Sequence, residues 1–268
     1  MVNMKSEWFK IAIGIVLFSF ITGFIFLGGR RGYKVSAVAF DGSTDYLTRG
    51  ADLTGNADSK EGTISVWLKF GQDGADEYVF MADSASTRIQ MRHSVAADDK
   101  IRIYGQTTAP AETLQIDNGA TLQIADGWTH VLASWDLANA KTYIYINDVA
   151  AINVTTANDN EIDYTRGNFA IGGTDGGATL FLGDMADFFW HNDYIDISST
   201  TNRRKFITGS GKPADLGPQG EAPFGSAPLV YLRVKAGAAV TTFLTNLGSG
   251  GNFTDNGSIA LASTSPSD

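Results

Sequence analysis

Two acids on one apolar segment, Asp184 and Asp187 in LGDMADFFW (182–190), come nearest in this chain to a catalytic pair. A retaining glycosidase needs two carboxyl groups roughly 5 Å apart, one as acid and one as nucleophile. Side chains three positions apart on a strand point to opposite faces. No Glu stands beside these two acids, so the segment predicts no working pair and the chain is expected not to be an enzyme. The three histidines, His93, His130 and His191, are scattered without metal-ligand spacing. His130 reads as a structural strand residue. TGSGKP (208–213) has the wrong glycine spacing for a phosphate loop, with Pro213 where the Ser/Thr should follow the lysine, and reads as a turn. GGTDGG (172–177) reads as a tight hairpin turn. With no cysteine there is neither a disulfide framework nor a thiolate metal site.

The remaining chemistry is that of binding. Trp67, Tyr143 and Tyr145 fall on the non-core register of their strands and could offer ring faces to the apolar C–H faces of sugars. The alternative is that they pack against loops or a neighbouring subunit. Arg88, Arg92 and His93 lie on a candidate strand and its following turn, where ligand-binding loops often sit. Carboxylates at Asp41, Asp45, Asp159 and Asp163 are weak calcium candidates, because acidic loops mostly solubilise.

Strands must position these groups. TISVWLKF (63–70) alternates strictly, with Ile64, Val66, Leu68 and Phe70 on one face and Ser65, Trp67 and Lys69 on the other. DGWTHVLASWDLANAKTYIYIND (126–148) reads as strand, polar turn, strand, and a turn at Asn147-Asp148. Further short strands are expected at 35–40, 78–82, 88–93, 100–104, 168–172 and 229–234. TLFLGDMADFFWH (179–191) should hold Leu180, Leu182, Ala186, Phe188 and Trp190 in one register. Residues 113–124 are less regular, and 199–207 could form a helical turn or two. Four of the six prolines fall in 213–228, so the Pro/Gly-rich stretch 209–228 is a loop rather than a central strand.

Ile11–Gly29 has 19 residues and no charge. As a helix it would span roughly 28 Å, near the thickness of a bilayer's hydrocarbon core. Trp8 before it and Arg30, Arg31 and Lys34 after it suit interfacial anchors. A signal peptide and a helix buried in a virion or oligomer core are the rival readings. Residues 1–34 carry a net +4, leaving −13 to the rest of a chain whose net charge is −9. An acidic body without a basic stripe argues against nucleic-acid binding.

Three blocks in order, AFDGSTDYL (39–47) with GTISVWLKF (62–70), GWTHVLASWD…YIYIND, and FAIGGTDGGATLFLGDMADFFW (169–190), resemble laminin-G-like (concanavalin A-like) domains over roughly 35–200. The resemblance implies an all-β fold, a concanavalin A-like β-sandwich (jelly roll), here preceded by one N-terminal hydrophobic α-helix. Two parts are expected: 1–34, the membrane-type helix, and 35–268, the sandwich with its 209–228 loop and C-terminal closing segment. The stretches around 206–233 and 246–258 are similar to laminin-G-like proteins of tailed phages and prophages. That implies a non-enzymatic virion or surface protein, membrane-associated through 11–29. It would mediate host-surface or glycan attachment, or decorate a particle, in partnership with other subunits or copies of itself. The alternative is a purely structural assembly subunit with no ligand.

Overall fold

The computed structural model describes residues 32–82, 86, 88–94 and 98–268. The chain divides into two units, Met1–Tyr33 and Lys34–Asp268. The helix expected at 11–29 lies outside the described residues. Among the described residues no helix is long and apolar enough to cross a membrane.

The second unit is all-β apart from short helical turns. Its strands are β1 Val35–Ser36, β2 Val38–Asp41, β3 Leu47–Thr48, β4 Glu61–Phe70, β5 Glu77–Ala82, β6 Ile89–Ser94, β7 Lys100–Gln106, β8 Glu112–Asn118 and β9 Thr129–Asp136. After these come β10 Lys141–Ile146, β11 Val149–Ala150, β12 Ile152–Ala157, β13 Phe169–Ile171, β14 Leu182–His191, β15 Val230–Leu232, β16 Val234–Lys235, β17 Thr254–Asp255 and β18 Ala260–Leu261. Among the described residues the first sheet runs β11-β10-β9-β4-β14-β2-β18, with β15 also against β14. The second runs β12-β8-β7-β6-β5-β13-β3-β17, and β1 pairs with β16. Every pairing is antiparallel.

The two sheets close over one apolar core, as two sheets with one hydrophobic face each must. Ile64, Val66, Leu68 and Phe70 of β4 and Val131, Ala133, Trp135 and Ile144 of the β9–β10 hairpin are all in it. Across from them stand Phe80, Ile89, Met91, Ile101, Ile103, Leu114 and Ile116. The strict alternation of β4 is therefore inward and outward. The hairpin turn at Asn147-Asp148 has positive φ at both residues, 49° and 67°, as its strand twist requires. Trp135 seals one end of the core. Its Nε1 donates to the Tyr164 hydroxyl at 3.1 Å, which itself donates to the Glu61 carbonyl at 3.0 Å. Position 62 must be glycine because a Cβ there would overlap the Trp135 ring.

The register expected for 179–191 changes partway along β14. A bulge lies between Ala186 and Phe189, with Asp187 at φ 46°. One extra residue reverses the alternation. Met185, Phe188 and Trp190 therefore enter the core, while Ala186 lies opposite the outward Trp67.

A second apolar layer covers the outer face of the first sheet. Leu132, Phe189 and Tyr231 meet Ile195, Ile197, Phe206 and Leu216 from the segment after β14. That segment contains a regular helical turn, α1 (Thr200–Arg203), and the proline-rich loop.

Candidate functional site

Much of the outer face of the first sheet is covered, which decides the fate of its aromatics. Trp67 is only 3 % exposed and stacks on His130, ring centroids 4.8 Å apart. Tyr143 and Tyr145 pack against the second apolar layer, and the Arg203 guanidinium lies 4.3 Å above the Tyr145 ring. Asp148 locks this corner through Arg203 at 2.5 Å and Arg204 at 2.6 Å. The sugar platform expected at Trp67, Tyr143 and Tyr145 is thus not open: Trp67 is buried against His130, and Tyr143 and Tyr145 pack against the layer that the 195–224 segment builds. His130 is buried with Nε2 2.9 Å from the Ser65 hydroxyl. Burial lowers its pKa to about 3, so it is a neutral core residue.

Arg88, Arg92 and His93 do not form one cluster. His93 is fully buried, stacked on Phe70 at 4.4 Å, with Nδ1 3.3 Å from Glu77 and Nε2 3.0 Å from the Leu122 carbonyl. Burial works against its proton, but Glu77 outweighs burial and raises its pKa. It faces the core because it shares the inward register of Ile89 and Met91. Arg88 is spent on structure as well. It donates to the Thr107 carbonyl at 2.6 Å and sits 3.7 Å from Asp163, which also pairs with Arg166. Arg92 alone faces outward.

Around Arg92 the second sheet presents an open polar groove of about 390 Å³. Tyr78, Gln90, Arg92, Arg102, Tyr104 and Gln115 line it, with Ser86 and Gln106 at its margin. Cross-strand register assembles it from four strands. Tyr78 of β5 lies opposite Arg92 of β6, and Arg92 lies opposite Arg102 of β7. Gln90 lies opposite Tyr104, which lies opposite Gln115 of β8. Arg102 is neutralised by a bidentate pair to Asp117, at 2.8 and 3.0 Å, and those hydrogen bonds raise its pKa. Gln106 Nε2 donates to the Tyr104 hydroxyl at 2.9 Å.

Two groove atoms stand apart. Gln90 Oε1 and Arg92 Nε are buried and have no hydrogen-bond partner. Gln90 is 5 % exposed. A buried polar atom without a partner costs of order 1–3 kcal/mol, so such atoms mark strain or a partner not held within the chain. One is an acceptor and the other a donor, the complement of a hydroxyl-bearing ligand.

The calcium candidates do not converge. Among the described residues no group of three or more acids or histidines could hold an ion. Asp41 Oδ1 accepts the Ser43, Thr44 and Asp45 amides at 2.7–3.0 Å, and Oδ2 accepts the Ser43 and Thr44 hydroxyls at 2.8 Å. These bonds hold its pKa well below the usual carboxylate range. Asp45 takes the amides of Asp41 and Ser258. Asp159 pairs with Lys60 at 2.7 Å, and Asp163 with the two arginines. These carboxylates cap turns and hold cations rather than facing one another as a donor set. The strand acids sit in different local settings. Asp184 lies 3.6 Å from Lys69, with burial raising its pKa, and Asp187 occupies the bulge.

The chain belongs to the concanavalin A-like lectin/glucanases superfamily, its residues 41–196 matching a laminin-G-type family of that superfamily. No curated protein sequence matches it. A Bacteroides ovatus protein whose assignment as carbohydrate binding is provisional has the same fold at TM-score 0.61 and 16 % identity. The match covers 86 % of this chain and 61 % of that one, so this chain spans about three fifths of its relative. The native heptameric SAP-like pentraxin of Limulus polyphemus matches at TM-score 0.53 and 12 % identity, over 85 % of this chain and 94 % of the pentraxin. At these identities the likeness is one of fold.

Proposed function

We propose that this chain is a non-enzymatic glycan-binding module and that the groove on β5–β8 is its site. The observation that carries the reading is the pair of unpartnered buried atoms, Gln90 Oε1 and Arg92 Nε, among the outward residues of that groove. An open groove lined by Tyr, Gln and Arg offers what a sugar needs: ring faces and paired donors and acceptors. The carbohydrate-binding assignment of the B. ovatus relative supports the same class of ligand. The module's setting in this reading is a virion or cell surface, where it mediates host attachment and is held there by residues 11–29. That setting rests on the expectation, read from 206–233 and 246–258 alone, of a resemblance to phage-encoded laminin-G-like proteins.

The test is a glycan array probed with the full-length chain on a multivalent carrier, since a shallow groove binds weakly per site and gains by multiplicity. Binding should appear in the multivalent form and fall at least about tenfold when Gln90→Ala and Tyr104→Ala are combined. Release of reducing sugar from host polysaccharide would show an enzyme instead.

A second reading, a structural assembly subunit, is favoured by the sandwich edge. The run VAAINVTTA (149–157) carries no charge, and Val149, Ile152 and Val154 are exposed, Val149 by 67 %. Edge strands that remain free usually carry charge. No glycan binding in multivalent form, together with concentration-dependent self-association, would select this reading.

A further inference from the structure

We infer that the groove prefers glycans carrying a carboxylate and that Arg92 is the group that selects them. This rests on the groove being a glycan site.

Charge within the groove is unbalanced. Among the described residues its lining holds two guanidinium groups, Arg92 and Arg102, and no carboxylate. These two are cross-strand neighbours, a like-charge juxtaposition that a sheet tolerates only when the charges are compensated. Arg102 is compensated. Asp117 grips it in a two-bond fork, and Asp76 and Glu112 add to the field that holds its proton. Arg92 is not. Among the described residues it makes no ion pair, and its Nε is buried without an acceptor. From the neighbouring strands it faces Tyr78 of β5 and Arg102 of β7, and neither is an anion.

A planar guanidinium with a free edge matches a carboxylate, whose two oxygens accept two parallel N–H bonds. Gln90, one row away on β6, supplies the acceptor Oε1 for a ring hydroxyl beside that carboxylate. Tyr78 and Tyr104 supply phenol groups that can donate to ring oxygens or lie against a sugar face. The chain as a whole carries −9, so its general surface repels anionic polysaccharide. A lone unpaired guanidinium in a polar cleft therefore sets both the place and the orientation at which an acidic sugar is accepted. The ligand class is a sugar acid, uronic or nonulosonic, presented at a chain end or branch that can reach a shallow groove.

The experiment measures binding of the full-length chain to N-acetylneuraminic acid and to glucuronic acid. The comparison ligands are their methyl esters, glucose and glucose 6-sulfate. The acids should bind about tenfold or more tightly than the esters and glucose, and the preference should weaken as salt rises. Arg92→Gln should erase the preference while the unfolding midpoint stays unchanged. Arg92→Lys should restore attraction but only part of the preference, because an ammonium lacks the fork. Equal binding of acids and esters overturns the inference and leaves the glycan reading standing. Binding of the sulfate as strongly as the acids shows a generic anion site and also overturns it. If none of these sugars binds and a glycan array is blank as well, the glycan reading itself fails.

Discussion

Tyr164→Phe isolates the polar contact that ties the 158–166 loop to the core. The tyrosine is fully buried, and burial pushes its hydroxyl pKa far above the ordinary range, so it stays neutral and acts only through hydrogen bonds. Phenylalanine keeps the ring, which meets Trp190 edge-on at 5.2 Å, so no large cavity opens. Two bonds disappear, from Trp135 Nε1 at 3.1 Å and to the Glu61 carbonyl at 3.0 Å. Each bond is worth roughly 1 kcal/mol net, and the buried indole N–H left without an acceptor costs roughly 1–3 kcal/mol. The expected loss is therefore about 2–4 kcal/mol. Urea unfolding followed by tryptophan fluorescence would show it as a lower midpoint at unchanged slope. In a double-mutant cycle with Trp135→Phe, the combined loss should fall short of the sum by about 1 kcal/mol, since removing the donor removes the orphan. A loss below about 0.5 kcal/mol for Tyr164→Phe, or strict additivity, would show that the indole finds another acceptor and that the loop is not held through this contact.

Leu68→Ala should cost about 2–5 kcal/mol, and Trp67→Ala about 3–5 kcal/mol although it lies on the opposite face, because both faces of β4 are covered; thermal or chemical denaturation of each variant checks this. Neutral His130 should make stability pH-dependent. With a folded pKa near 3 against an ordinary 6.5, its contribution is full above about pH 6.5 and falls as pH drops from there toward 3, by at most about 1.4 kcal/mol per pH unit. His130→Gln should flatten that acid limb in denaturation series run from pH 7 to 4. Because His93 shifts the other way, the difference between variant and parent is the quantity to read. A chain beginning at Lys34 should stay folded and monodisperse without detergent in sizing chromatography, since Lys34–Asp268 holds the whole core described above.

The fold was most legible where alternation is strict. In β4 and the β9–β10 hairpin every second residue is apolar, so sequence and register give the same answer. The bulge in β14 was hidden, because Asp187 in a left-handed conformation looks like any other residue in a run of alternating side chains. The cover over the first sheet was hidden too. It comes from the irregular segment after β14, and nothing periodic there announces which face it will meet. Arg92 was picked out for its place on a strand near a turn, not for the face it shares. The groove was missed because Tyr78, Gln90, Tyr104 and Gln115 lie up to 37 positions apart and meet only through cross-strand pairing. A usable signal was present. KIRIYGQ (100–106) alternates core residues with Arg, Tyr and Gln, large hydrogen-bonding side chains, where a merely solvated face would tend to carry Ser, Thr or Lys.

The covering of the first sheet by 195–224 gives the module a front and a back. In a plain sandwich either broad face is available, and a copy fixed in an array can present the wrong one. Here one face is largely upholstered with the chain's own aromatics, so under the proposed glycan reading the orientation of a copy would decide whether its groove is presented. Display is then a matter of which way the unit faces. Turning the unit over by half a revolution would silence it while leaving every fold contact intact.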